Sequence, residues 1–159
     1  MIRKKTPRLL RTIGWREWLA LPDMGIREVK AKVDTGARSS SLHAFNMEFF
    51  KRGRVEYVSF NVHPKQRDSK LTRHVEVPIL EHRHVRSSSG HSASRPVIRT
   101  RVELFEECWE IDLTLASRDE MGFRMLLGRE AIRGRFLVDS DKSFYNGSPA
   151  RVITSVPKK

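Results

Sequence analysis

The amino-acid sequence predicts an all-β fold with little helix, and three observations carry that prediction. Val29, Ala31 and Val33 alternate with Lys30 and Lys32, the period of a strand with one buried face. Trp109, Ile111, Leu113 and Leu115 repeat the alternation later in the chain. The helical candidates, Met47 to Phe50 and Glu130 to Arg133, are each about one turn long, too short to stand alone as helices. At 159 residues, with no repeat or linker, the chain is read as a single domain over 1–159. That length buries roughly two thirds of the unfolded surface.

Taken in order, the strand Val29–Val33 ends at Asp34-Thr35-Gly36. Val55–Val62 is a second strand, the polar stretch from His63 to Ser69 turns the chain, and Leu71–Leu80 resumes the alternation through Val75, Val77 and Ile79, so these segments form a β-meander. From Glu81 to Pro96 there is no apolar period. Ser87, Ser88, Ser89 and Gly90 lie at its centre, flanked by Arg83, Arg86 and Arg95 and by His82, His84 and His91, which predicts a mobile cationic hairpin or loop. After the Trp109–Leu115 strand comes a turn at Ser117–Glu120, then a short apolar strand from Phe123 to Leu127 closing on Gly128. One helical turn starts at Arg129, Phe136–Val138 is a further strand, and the turn formers Asn146 to Pro149 precede Val152 and Ile153.

The charge is the strongest compositional signal: 31 Lys and Arg against 19 Asp and Glu give a net +12, a field that attracts polyanions. No zinc-finger, phosphate-loop or aromatic RNA-binding signature accompanies it, so nucleic acid is not the expected partner and an acidic peptide satisfies the same field. No run of eighteen apolar residues is present, so no transmembrane helix and no membrane partner are expected. The stretch 1–12 reads as a basic N-terminal extension (Arg3, Lys4, Lys5, Arg8, Arg11). Gly14-Trp15-Arg16-Glu17-Trp18 follows it where a signal peptide would place its apolar core, so a cytoplasmic location is expected. A single cysteine, Cys108, rules out an internal disulfide.

The candidate chemistry begins at Asp34-Thr35-Gly36. A strand delivers the carboxylate, Thr35 hydrogen-bonds locally, and Gly36 lets the backbone approach the acid. The bland alternative is an ordinary aspartate turn at a strand end. Read with Ala37 and with Met125-Leu126-Leu127-Gly128-Arg129, the triplet resembles the retropepsins, single-domain aspartic peptidases in which these two segments interlock beneath the active site. A resemblance to the bacterial retropepsin-like family called RimB, often described as ATP-dependent zinc proteases, extends from Ile13 to about Phe144. It runs through Ile13–Glu17, Ala31–Ala37, Ser41–Ala44, Val85–Ser88, Arg95–Ile98, Met125–Arg129 and Phe136–Asp139.

That resemblance implies a closed β-barrel or sandwich with a flap hairpin at about 81–101, a two-fold homodimer, and Asp34, Thr35 and Gly36 as the catalytic turn supported by Ala37, Leu127, Gly128 and Arg129. An aspartic peptidase needs two carboxyl groups sharing one proton, one activating water while the other polarises the peptide carbonyl. One chain supplies one Asp-Thr-Gly, so the second must come across a two-fold axis. Arg38, Arg83, Arg86, Arg95 and Arg99 are the candidate substrate-binding cations, each able to present a forked guanidinium to a carboxylate. The resemblance further implies a functional link to an ATP-grasp glutamate ligase, and a substrate in the poly-glutamate tail that such a ligase adds to a small-subunit ribosomal protein.

Rival readings are weaker. Asp139 follows the Phe136–Val138 strand but lacks Thr-Gly after it, and reads as a strand-end cap or a member of an ion pair. His82 and His84 alternate onto one face, with His74 and His91 near in sequence, yet neither a His-Glu-x-x-His helix nor a Cys-x-x-Cys pair exists; a zinc hydrolase ranks behind the peptidase and no metal or other cofactor is expected. The Gly128–Gly134 stretch lacks the spacing and lysine of a phosphate loop. Ser39, Ser40, Ser41 and His43 read as a polar loop that bonds backbone. A non-catalytic basic module holding an acidic ribosomal or nucleic-acid partner is the remaining alternative.

Overall fold

In the computed structural model the described residues are 9–64, 72–86, 90, 92–117 and 122–147, with backbone alone for 85, 86, 92 and 93. Their strands are β1 (Arg11–Gly14), β2 (Arg16–Leu21), β3 (Ile26–Asp34), β4 (Ser40–His43), β5 (Phe45–Arg52), β6 (Val55–Val62), β7 (Arg73–Pro78), β8 (Glu81–Arg86), β9 (Ser92–Leu104), β10 (Glu107–Ala116), β11 (Met125–Gly128) and β12 (Phe136–Asp139). A 3-10 turn at Pro22–Met24 and one helical turn, α1 (Arg129–Ile132), complete them. The fold is all-β and retropepsin-like.

Six strands close a barrel in the order β10–β4–β11–β3–β2–β9, with β9 pairing back onto β10. Its interior is filled by Leu19 and Leu21, Val29, Leu42, Val102, Leu113 and Leu127, all at most 2% exposed. Each such side chain contributes roughly 1.5–3 kcal/mol on leaving water. Val29, Ala31 and Val33 point inward as their alternation predicts, whereas Ile26 and Glu28 are buried on the opposite parity. A register shift between Leu19 and Leu21 on β2 accommodates that change of parity.

The meander is antiparallel β5–β6–β7, contributing Val58, Phe60, Val62 and Val75 to the same core. Met47–Phe50, one of the two helical candidates, lies inside β5: Phe49 pairs with Val58 and Phe50 with Tyr57. Two adjacent phenylalanines hide a period of two, and β5 is mostly exposed, so its sequence carries little apolar pattern. The expected extension also ends early, because Arg11 and Thr12 already pair with Phe136 and Leu137 in a parallel β1–β12 ladder.

β8 pairs antiparallel with Ser92–Val97 of β9, while Ile98–Arg101, expected as part of the flap, pair with β10 and belong to the barrel wall. Residues 1–8, most of the turn after His63, Ser87–Ser89, His91, Arg118–Glu120, Val152 and Ile153 lie outside the described residues. Among the described residues no helix is long and apolar enough to cross a membrane.

Candidate active site

Asp34 is the last residue of β3. Its Oδ1 accepts the N–H of Gly36 at 3.0 Å and of Ala37 at 3.2 Å. Two backbone dipoles thus aim at one oxygen and fix the carboxylate, and among the described residues nothing bonds the other oxygen. Gly36 matters for room: a Cβ there would stand 3.3 Å from Asp34 Oδ1.

The parallel neighbour β11 places Gly128 directly opposite Asp34. A Cβ on Gly128 would lie 2.5 Å from both the carbonyl carbon and the oxygen of Ser39, so only glycine lets the strand cross so near the loop. That crossing is pinned by three bonds: Gly128 N–H to Ser40 Oγ (3.0 Å), Arg129 N–H to Ala37 O (2.7 Å) and Arg129 Nη1 to Thr35 O (3.1 Å). Leu127, fully buried beside them, anchors β11 in the core. The structure therefore gathers Asp34, Thr35, Gly36, Ala37, Leu127, Gly128 and Arg129 into one knot. Ser40, expected only as part of a polar loop, is a member of it.

Asp139 stands in a second turn of the same build. Its Oδ1 accepts the N–H groups two and three residues on, Asp141 at 2.8 Å and Lys142 at 3.3 Å. A glycine, Gly14, faces it across a parallel ladder, and a Cβ on Gly14 would collide with Lys142 O. The residue after that glycine, Trp15, donates to Lys142 O at 3.0 Å, just as Arg129 donates to Ala37 O. The difference lies at Oδ2, which accepts the Tyr145 hydroxyl at 2.6 Å. That bond holds the Asp139 carboxyl below, and the Tyr145 phenol above, their ordinary ranges. Among the described residues Asp34 leaves one oxygen unbonded, whereas Asp139 spends both on its own chain.

The arginines divide by place. Arg83 Nη1 reaches from the hairpin to Ser39 Oγ at 2.9 Å while its Nε and Nη2 hold Glu81. Arg38 pairs with Glu130 at 3.5 Å and Arg99 with Asp112 at 3.2 Å. Arg83, Arg38 and Arg99 share the wall of one open groove of about 530 Å³ with Glu110, Asp112 and Glu130; Asp34 lies outside its walls. Arg95 sits half-buried across the hairpin from Arg83, and the Arg86 side chain lies outside the described residues. The groove is thus mixed in charge. Much of the cationic excess falls outside the described residues, at Arg3, Lys4, Lys5 and Arg8, at Lys65, Arg67 and Lys70, and at Arg151, Lys158 and Lys159.

The two faces of the hairpin differ. Arg83 turns toward Ser39, whereas His82, on the alternate face, bonds Glu56 at 2.7 Å and packs 6.0 Å from the Phe49 ring. His74 bonds Asn61 at 2.8 Å, and among the described residues no three ligating side chains gather to hold a metal. His43 Nδ1 accepts from Arg124 at 3.1 Å, so Nε2 carries the proton and donates to Ser117 O at 3.2 Å.

Two buried acids, Glu17 and Glu28, were not singled out from sequence, and Glu17 holds the chain around Asp139 in place. Glu17, fully buried, accepts the N–H groups of Gly14 (2.7 Å), Tyr145 (2.9 Å) and Asn146 (3.0 Å), strapping residues 142–146 across β2. Its signal was its parity: Glu17 occupies the inward row with Leu19 and Leu21.

Comparison with known proteins agrees with this fold. The sequence model of the RimB-like family, described as retropepsin-like aspartic endopeptidase RimB, matches residues 12–149. A protein of Parasynechococcus marenigrum named probable alpha-L-glutamate ligase is 50% identical over 135 residues, 85% of this chain and 29% of that protein. Proteins of the same name from Desulfotalea psychrophila (47% identical; 80% of this chain, 27% of that protein) and Shewanella pealeana (46%; 85% and 30%) are similar in the same way. The chain spans about three tenths of the length of these curated relatives. A crystal structure of a Legionella pneumophila protein of unknown function (DUF785) superposes with a TM-score of 0.70 at 26% identity, covering 86% of this chain and 98% of that one.

Proposed function

Because the chain belongs to the RimB-like family of retropepsin-like aspartic endopeptidases, we propose that it is a peptidase whose active site is completed by two copies of Asp34 meeting across a homodimer. The observation that carries this reading is the Asp34 turn: a half-exposed carboxylate with one oxygen fixed by two backbone N–H groups and the other open, locked from behind by Gly128 and Arg129. Two such groups on one axis share a proton, since like charges at that distance do not both ionise. The ionised member takes a proton from water as it attacks the peptide carbonyl, and the protonated member donates to the carbonyl oxygen.

The substrate in this reading is a glutamate-rich tail, cut in the cytoplasm. The relatives that contain a segment similar to this chain are named for glutamate ligation, which supports a partner activity that makes such tails. Arg83, Arg38 and Arg99 supply guanidinium groups beside the loop that follows Asp34. The test is mass spectrometry of a peptide ending in several glutamates. The wild-type protein shortens it and Asp34→Asn does not; equal shortening by both removes Asp34 from the chemistry, and shortening by neither leaves a binding module.

A further inference from the structure

Every cation of the groove lined by Arg38, Ser39 and Ser40 is already matched to a carboxylate of the same chain, and the matches are unequal. Arg83 holds Glu81 through two nitrogens and Ser39 through a third. Arg99 Nε bonds Asp112 at 3.2 Å, on strands that also pair residue to residue. Arg38 alone is held loosely: 3.5 Å from Glu130 Oε1, beyond good hydrogen-bond length, with the two side chains 79% and 51% exposed. The backbone on both sides is fixed, because Glu130 N–H donates to Arg38 O at 3.1 Å and Arg129 N–H to Ala37 O at 2.7 Å. The pair is thus two exposed heads on a hydrogen-bonded base, with Arg38 four residues along the chain from Asp34.

We propose that the groove is a carboxylate-binding subsite in which Arg38 receives a glutamate side chain of the substrate and Glu130 occupies that place in the free protein. Glu130 is chemically the same group as the ligand, a carboxylate on two methylenes, and it is displaced in exchange for an identical one. Such a competitor lowers affinity for acidic chains, and its cost vanishes when the incoming carboxylate makes the same contact at better length. Glu110 and Asp112 line the same groove and repel a second carboxylate, so the groove takes one side chain rather than a run of them. This rests on the acidic-tail reading and goes beyond it by assigning the residues that set how tightly a tail is held.

The test uses binding as well as turnover, so that the two readings fail separately. A fluorescent five-glutamate peptide is titrated into the Asp34→Asn protein by anisotropy, alone and with Glu130→Gln. Removing the competitor is expected to tighten binding about two- to fivefold, the scale of an exposed ion pair. The all-glutamine peptide is unmoved. Glu48→Gln makes the same change of net charge on exposed β5 and leaves both affinities alone. Arg38→Gln weakens the glutamate peptide and abolishes the gain from Glu130→Gln in the double variant. In the active protein Glu130→Gln lowers KM without moving kcat. Unchanged or weaker binding in Glu130→Gln, or an equal gain with Glu48→Gln, overturns the subsite. If Glu130→Gln tightens binding while the wild type never cuts the peptide, the subsite stands and the peptidase reading falls.

Discussion

Gly128 faces Asp34 across the parallel β3–β11 ladder, at the one place where a methyl group would meet the backbone of Ser39 at 2.5 Å. The obstacle is main chain, which cannot rotate away. Gly128→Ala is therefore expected to cost about 1–3 kcal/mol of stability, the usual scale of overpacking, read as a lower urea midpoint. It should also reduce turnover on the order of 100-fold even where the protein stays folded, because a shift near 1 Å at Asp34 is enough.

Glu17 tests the architecture and not the chemistry. Replacing it by alanine leaves the buried N–H of Gly14 and the part-buried N–H groups of Tyr145 and Asn146 without their acceptor, and empties a fully buried side-chain site. With about 1–3 kcal/mol for each orphaned group, the loss is expected to reach about 3 kcal/mol or more by urea denaturation. Glu17→Gln keeps one acceptor oxygen and falls between.

The Asp139–Tyr145 bond makes a pH-dependent prediction. The Asp139 carboxyl is held below its ordinary value, chiefly by the Tyr145 hydroxyl. The folded state therefore binds that proton less readily than the unfolded chain does. Its stabilisation is present above the unfolded pKa near 4 and is lost as pH falls through the lower folded value. In Tyr145→Phe the Asp139 carboxyl carbon, followed by NMR, titrates at higher pH than in the wild type, and the fall in stability below about pH 4 becomes shallower. An unmoved titration midpoint contradicts the assignment.

Arg83 ties the hairpin to the loop after Asp34 through Ser39 Oγ. Ser39→Ala removes that tie while Glu81 still holds the guanidinium. Amide exchange in β8 is expected to quicken about fivefold, matching one hydrogen bond near 1 kcal/mol, with the melting temperature of the barrel nearly unchanged.

What the sequence made legible follows physical rules. β3 and the first half of β10 were readable because one face lies in the core and one outside, so parity shows as alternation, whereas β6 was readable as an apolar run with Val58, Ser59 and Phe60 all buried. The knot at Asp34 was readable because it needs glycine, a short acid and an apolar pair at fixed places. β1 and β5 were not: β1 is four residues long and β5 lies mostly in water, so neither imposes a pattern. Glu17 was hidden because a buried acid looks like any surface acid until its strand parity is noticed. The arginines were legible as a cluster but not as ion pairs, since Glu130 and Asp112 reach Arg38 and Arg99 only through tertiary and cross-strand pairing, and Glu81 alone is a sequence neighbour of its partner. Asp139 was legible as a strand-end cap, but the likeness of its turn to that of Asp34 was hidden, because its glycine partner, Gly14, lies 125 residues away in sequence.

The shared dyad is tested most directly by co-refolding wild-type and Asp34→Asn chains in varied proportion and measuring cleavage of a glutamate-tailed peptide at constant total protein. If both acids of one site come from two chains, activity follows the square of the wild-type fraction, leaving about one quarter in an equal mixture. A linear fall, leaving about one half, would mean that each chain acts alone and would contradict the account.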